Sequence, residues 1–379
     1  MPHILHVIST LERAGAQRQV VTLLRAIGAE HRMSLAYLWG DAPFARELPE
    51  SVRLVDLSRH GRFDPISPLR LARWVRREQV DLVHTHLVHA GLVGKLAARW
   101  AHRPVVTTRH YAREAKETSW PYRLEDRWTR DAAAVIAVSG AVREHLVTRG
   151  ACARERVHLV PNAVDGRFFE AARLSGKTGY AGERVVGAVG RLHEQKGFDL
   201  LLEAWASISA GTRAGWKLEI VGEGDQRRAL AARIVELGLS GEARLIGAIV
   251  PEQMPETYLR WGIVVQPSRW EAFGLAAAEA MVMGRCVVAT SVEGLRELIV
   301  DGVSGLLVPA EDREALAARL ARAIGDPDLR DRLGQGARVA TERFRPEANA
   351  AATLAVYKGV LEGRSAGTSG RTAGPVARG

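Results

Sequence analysis

The sequence predicts an α/β protein made of two doubly wound parallel sheets facing a central cleft. Three observations carry this expectation. Short runs of Val, Ile and Leu alternate with stretches of helical periodicity along the chain, as they do where helices cover both faces of a parallel sheet. The run of strands is long for one sheet and divides at Gly166–Glu183, a glycine-containing stretch without strong periodicity. The 379 residues are enough for two domains of ordinary size.

The strands are expected, in order, at 3–8, 34–39, 52–56, 80–85, 104–108, 133–138 and 157–160, then at 185–190, 217–221, 243–246, 262–266, 286–289 and 305–308. Helical periodicity marks Gln17–Ile27, Leu200–Ile208, Arg227–Leu237 and Glu347–Leu361, the last with Leu354, Tyr357 and Leu361 on one face. The boundaries follow: a first domain over 1–165, a linker over 166–182, a second domain over 183–345, and a terminal helix at about 346–362. Residues 363–379, rich in Gly, Ser, Ala and Arg, are expected to be disordered. Each half opens with a strand, a loop and a helix. Ligands in such sheets bind at the carboxyl ends of the strands.

Composition restricts the function. Apolar residues make up 47% and charged residues 25%, as in soluble globular proteins. Cys152 and Cys286 stand far apart and near no histidine cluster, which argues against a zinc site or disulfide framework and fits a reducing cytoplasm. The N-terminus reads as a strand and not as a signal peptide, and no run of 18 apolar residues occurs. The net charge of +10 is uneven: residues 1–165 hold 25 Lys and Arg against 17 Asp and Glu. A basic first half suggests an anionic partner.

The most informative segment is Glu271-Ala-Phe-Gly-Leu-Ala-Ala-Ala-Glu279, directly after the apolar run 263–268. A helix start built from Gly and Ala offers main-chain N–H groups that an anion can approach. Glu271 before it and Glu279 inside it are placed for hydroxyl groups on either side. That suits a diphosphate flanked by two sugar rings, a nucleotide sugar. The loop 190–197 adds Arg191 and Lys196, two cations that could neutralise a departing diphosphate. No dinucleotide fingerprint or P-loop is complete, and Asp326-Pro327-Asp328 is expected to be a helix cap and not a metal motif.

Histidines cluster at 84, 86, 89 and 110. His84 and His86 are expected on alternate faces of a strand end, lining core or cleft and holding no metal. His110 ends an apolar run and should project from a strand's carboxyl end. Residues 69–77 form an amphipathic basic helix, and 109–130 interleave arginines with aromatics, a pattern suited to an anionic interface. Arg109, Tyr111 and Arg113 are the acceptor-binding candidates there.

With these motifs in hand, the chain resembles the GT-B glycosyltransferases of retaining family 4 (glycosyl transferases group 1). The likeness rests on Val189-Gly190-Arg191-Leu192, Lys196-Gly197-Phe198, Val221-Gly222-Glu223-Gly224, Pro267-Ser268, the Glu271–Glu279 segment, Gly305-Leu306-Leu307-Val308, Pro161-Asn162-Ala163-Val164-Asp165 and Ala14-Gly15-Ala16-Gln17-Arg18. The resemblance implies two Rossmann-like domains, with the last helix crossing back onto the first. It implies that Arg191, Lys196 and the amides of Phe273, Gly274 and Leu275 bind the donor diphosphate, and that Gly15 lets the first loop approach it. Glu279 would hold the ribose, while His110 and Glu271 serve at the reacting sugar. The base would lie near Ile246–Ile249. No metal or cofactor is implied. The nucleotide-diphosphate sugar is a co-substrate, a UDP-sugar by default, and the donor phosphate deprotonates the acceptor. Ala14, Asp225, Cys286 and Glu293 depart from the family pattern without removing a charged motif residue.

The expected function is transfer of a sugar to a saccharide or lipid-linked acceptor in cell-envelope or exopolysaccharide synthesis, including lipopolysaccharide. The site is cytoplasmic, with contact at the inner face of an anionic membrane and none with nucleic acid. The rivals are an epimerase or phosphorylase of the same architecture and a non-catalytic sugar-nucleotide sensor.

Overall fold

The computed structural model describes residues 1–12, 14–28, 30–58, 61, 64–111, 120–175 and 183–369. The chain divides into two units, Met1–Pro161 with Glu347–Gly379, and Asn162–Pro346.

The first unit holds seven strands: β1 His3–Ile8, β2 Arg32–Tyr37, β3 Arg53–Asp56, β4 Leu82–His86, β5 Val105–Arg109, β6 Ala134–Ala137 and β7 Val157–Leu159. They pair in parallel in the order β3-β2-β1-β4-β5-β6-β7. The second unit holds β8 Glu183–Val189, β9 Lys217–Val221, β10 Ala243–Gly247, β11 Trp261–Gln266, β12 Cys286–Thr290 and β13 Leu306–Val308, parallel in the order β10-β9-β8-β11-β12-β13. Every expected run is a strand. Strand order reverses direction beside β1 and beside β8, the points where doubly wound sheets open a crevice.

Helices cover both faces of each sheet, and the central strands β1, β4 and β11 are buried along their whole length. Two apolar clusters result in each unit. One face of the first sheet packs Ile4, Ile8, Leu82 and Val106 with Val356 and Tyr357 of the terminal helix, and the other packs Leu5, Val7 and Val83 with Leu71, Val75 and Ala97. Short acidic caps set several helix starts. Asp326 Oδ1 accepts the Leu329 amide at 2.8 Å with Pro327 in the first turn, so Asp326-Pro327-Asp328 is a helix cap.

Two boundaries depart from expectation. Gly166–Leu174, read as linker, is a helix capped by Asp165, whose Phe168 and Ala172 are buried in the second unit's core. Periodicity missed it because only those two positions, four apart, are fully buried, with Phe169 and Ala171 packed at the core's edge. The terminal helix runs Pro346–Ser369, so 363–369 are helical and not tail. Propagation of a formed helix adds one hydrogen bond per residue and so carries it through this stretch despite Gly363 and Gly367, where nucleation alone would fail. Residues 370–379 lie outside the described ones.

Candidate active site

In the second unit, the loop after β8 and the segment after β11 are bound to each other. Gly197 ends the first loop at φ +63°, and a Cβ there would lie 2.1 Å from the Pro267 carbonyl oxygen. Only glycine permits that approach. The main-chain N–H of Arg269 donates to the Gln195 carbonyl at 2.8 Å, and Gln195 Nε2 donates to the Trp270 carbonyl at 3.0 Å. Arg269 adds two bonds to Asp199 at 2.8 and 2.9 Å and an ion pair with Glu311.

These braces place Lys196 against Glu271. The Lys196 ammonium donates to Glu271 Oε1, which also accepts from Ser268 Oγ at 3.0 Å and Gln266 Nε2 at 3.3 Å. Three donors thus converge on one oxygen of a nearly buried carboxylate. Gly190 packs on the aliphatic stem of Lys196, so the neighbouring Arg191 starts at the same spot. Its side chain is exposed and has no hydrogen-bond or ion-pair partner among the described residues.

The helix Leu275–Val282 begins two residues after Phe273. Gly274 reaches φ +93° and sits where a Cβ would meet Leu295 Cδ2 at 2.4 Å. This turn leaves the N–H groups of Phe273, Gly274 and Leu275 without an acceptor among the described residues. Glu279, one turn further, accepts a hydrogen bond from the Tyr258 hydroxyl at 3.0 Å. Burial, and then the Glu279 charge, push the Tyr258 phenol well above its ordinary value, so it stays a donor. Ile246 and Ile249, expected beside the base, pack at the edge of the same unit's core.

In the first unit, Gly15 opens the helix Gly15–Ile27, and nothing lies within 4 Å of where its Cβ would be. His110 follows β5. His84 and His86 do not lie on alternate faces; positions two apart in a strand share a face, and their rings are 4.2 Å apart. Burial lowers His6 to about 3 and His110 to about 4, and holds His84 and His86 well below the ordinary imidazole value. Ligand atoms of His6, His84 and His86 lie within 4.8 Å of one another, a spacing a metal ion could use. Those nitrogens are engaged in hydrogen bonds with one another and with Tyr357.

Arg109 and Tyr111, expected to meet an acceptor, have an internal role instead. Arg109 is buried and donates to Glu125 and Asp126, each at 2.7 Å, and the Tyr111 hydroxyl donates to Glu125 at 2.9 Å. A strand-end arginine beside Glu125 and Asp126 is drawn inward by the two carboxylates. Arg113 lies outside the described residues.

Comparison with known proteins decides what this arrangement belongs to. The family described as Glycosyltransferase Family 4 matches residues 13–167, and that described as Glycosyl transferases group 1 matches 174–340. An α-D-kanosaminyltransferase of Streptomyces kanamyceticus is 30% identical over 71% of this chain and 74% of its own. A D-inositol 3-phosphate glycosyltransferase of Segniliparus rotundus is 30% identical over 75% of this chain and 67% of its own. The chain is a family 4 glycosyltransferase. Its fold is GT-B: the crystal structure of Anabaena HepE in complex with UDP and glucose superposes with a TM-score of 0.79 at 22% identity, over 96% of this chain and 100% of the other.

Sequence reasoning missed several parts of this glycosyltransferase's second unit. Ser268 was visible as part of a motif but without a role, and it turns out to hold Glu271. Tyr258 and the Arg269–Asp199 brace gave no signal, because each pairs residues far apart in the chain.

Proposed function

We propose that this enzyme transfers a sugar from a nucleotide-diphosphate sugar, with UDP as the first nucleotide to test, and retains the anomeric configuration without a metal ion. The reading rests on one observation: a free Arg191, three unengaged amides at 273–275 and the Lys196–Glu271 pair occupy one stretch of the second unit.

The amides and Arg191 receive the diphosphate oxygens, since both present donors to an anion. Lys196 turns from Glu271 to the leaving phosphate as charge builds there, and stabilisation is greatest where that charge develops. Glu271, relieved of Lys196, stays anchored by Ser268 and Gln266 and accepts hydroxyls of the transferred sugar. Glu279 takes the ribose hydroxyls on the side away from Tyr258. His110 serves the reacting sugar, and the donor phosphate takes the acceptor's proton.

The acceptor in this proposal is a saccharide or a lipid-linked saccharide of the cell envelope, met at the inner face of an anionic membrane. The basic charge of residues 1–165 supports it. The helix Ser67–Arg77 buries Leu71, Ala72 and Val75 against its own sheet, leaving a basic face with Ile66 and Leu69 exposed. No helix among the described residues is long and apolar enough to cross a membrane.

Thermal-shift screening against UDP, GDP, ADP and dTDP sugars tests the donor, because a ligand of the native state raises the melting temperature. Product NMR reads the anomer, and a chelator reads the metal. Stabilisation by none of these nucleotides would remove the proposal. Inversion, or loss of rate in chelator, would remove the corresponding part. Equal binding to anionic and neutral vesicles at low salt would remove the membrane.

A further inference from the structure

A continuous hydrogen-bonded chain runs through the first unit. Thr108 Oγ1 lies 2.7 Å from His84 Nε2, and His84 Nδ1 lies 2.6 Å from the Tyr357 hydroxyl. That hydroxyl is 3.3 Å from His6 Nε2. His6 Nδ1 is 3.1 Å from His86 Nε2, and His86 Nδ1 is 3.2 Å from His110 Nε2. The chain ends at His110 Nδ1, which is buried and has no partner among the described residues.

A neutral imidazole carries one N–H and one lone pair, and a hydroxyl has one hydrogen. Each imidazole link therefore fixes the next, and because the Tyr357 oxygen can also accept from both sides the chain has three arrangements. If Tyr357 accepts from both His84 and His6, its own hydrogen has no acceptor among the described residues and His110 Nδ1 is bare. If the protons point from His110 towards Thr108, His110 Nδ1 is a bare acceptor and the Thr108 hydrogen has no acceptor among the described residues. If they point from Thr108 towards His110, every hydrogen is used but one, the N–H at His110 Nδ1. A buried polar group left without a partner loses its hydrogen bonds to water with nothing in return, so the arrangement with fewest orphans is favoured. The arrangement that runs from Thr108 to His110 leaves one orphan, at the His110 end of the chain, and each of the others leaves two.

We propose that Thr108, His84, Tyr357, His6 and His86 are positioning residues that lock His110 into the tautomer protonated on Nδ1, so that it presents an N–H donor to an oxygen of the reacting sugar. The position of His110 at that sugar rests on the function proposed above; the tautomer lock does not. The four imidazoles are held neutral by burial, which keeps the one-proton count at each link. The device also gives Tyr357, 273 residues from His84, a task besides filling the core.

The test uses the full chain with ring-15N histidine, His110 being assigned from the peaks lost in His110→Asn. Long-range 1H–15N correlations show which nitrogen is protonated. The expected result is a single His110 tautomer carrying its proton on Nδ1. Tyr357→Phe removes the bridging hydroxyl but keeps the ring, and Thr108→Val removes the terminal donor. Each should give mixed tautomers at His110 and lower kcat about tenfold, less than the loss of a whole acid–base group, with donor KM within about twofold. Thr108→Ser should restore both. A proton on His110 Nε2 overturns the proposal, as does an unmixed His110 with unchanged kcat in a folded Tyr357→Phe or Thr108→Val protein. One equivalent of bound zinc with shifted His6, His84 and His86 nitrogens overturns it too. The spectra read the chain whether or not sugar is transferred, so a wild type without transferase activity would refute the site reading and leave this one standing.

Discussion

Lys196→Ala separates the two tasks of one side chain. In the free protein Lys196 pairs with Glu271, a carboxylate only 9% exposed that keeps Ser268 and Gln266 as donors when the lysine is gone. The folding cost is therefore that of one charged hydrogen bond with partial compensation, about 1–2 kcal/mol. For a unit of this size that is a fall of about 2–8 °C in Tm. In the reaction the same ammonium faces the charge growing on the diphosphate, where one donor is worth about 10²–10³ in kcat. Initial rates at saturating donor, with calorimetry on the same preparations, measure both. A kcat within about threefold of wild type, or a rate loss that merely tracks the unfolded fraction, would refute the placement of this loop at the phosphates.

Tyr258→Phe removes the phenolic hydrogen bond to Glu279. Donor KM should rise several-fold with kcat nearly constant and stability lower by about 1 kcal/mol, as measured by steady-state kinetics and urea unfolding. Gly197→Ala forces a Cβ onto the Pro267 carbonyl at a left-handed φ and should destabilise by more than about 1 kcal/mol while separating the two loops, seen as a lower Tm and a rate loss together. The buried histidines set an acid limit. Their folded values lie below the ordinary 6.5, His6 at about 3 and His110 at about 4, so the unfolded chain binds more protons as pH falls. Their contribution is complete above 6.5 and is lost progressively down to about 3. Unfolding titrations should show that slope, and His6→Phe should flatten it.

The strands were legible because a β-branched run buried on two faces needs no partner to be recognised. All thirteen lie within about two residues of their expected bounds. The loop that carries Lys196 and the helix start between Glu271 and Glu279 were legible because each is local in sequence. What was not legible depends on distant pairs. Arg109 looked like a surface cation until the structure put Glu125 and Asp126 beside it. The helix Gly166–Leu174 hid in a glycine-bounded stretch, since its burial is supplied by elements far along the chain.

The terminal helix has a consequence for biosynthesis. Its Ala350, Val356 and Tyr357 complete a core whose other members come almost wholly from the first 160 residues, and Asn349 Nδ2 donates to the Pro161 carbonyl at 2.6 Å. The ribosome must deliver about 185 intervening residues before those side chains emerge, on the order of 10–40 s of synthesis. Throughout that interval the face around Ile4, Ile8, Leu82 and Val106 lacks the share of its cover that the terminal helix supplies, and the imidazole chain lacks its Tyr357 link. The earlier-made of the two units is thus the later to mature, and chaperone demand should fall on it and not on its neighbour.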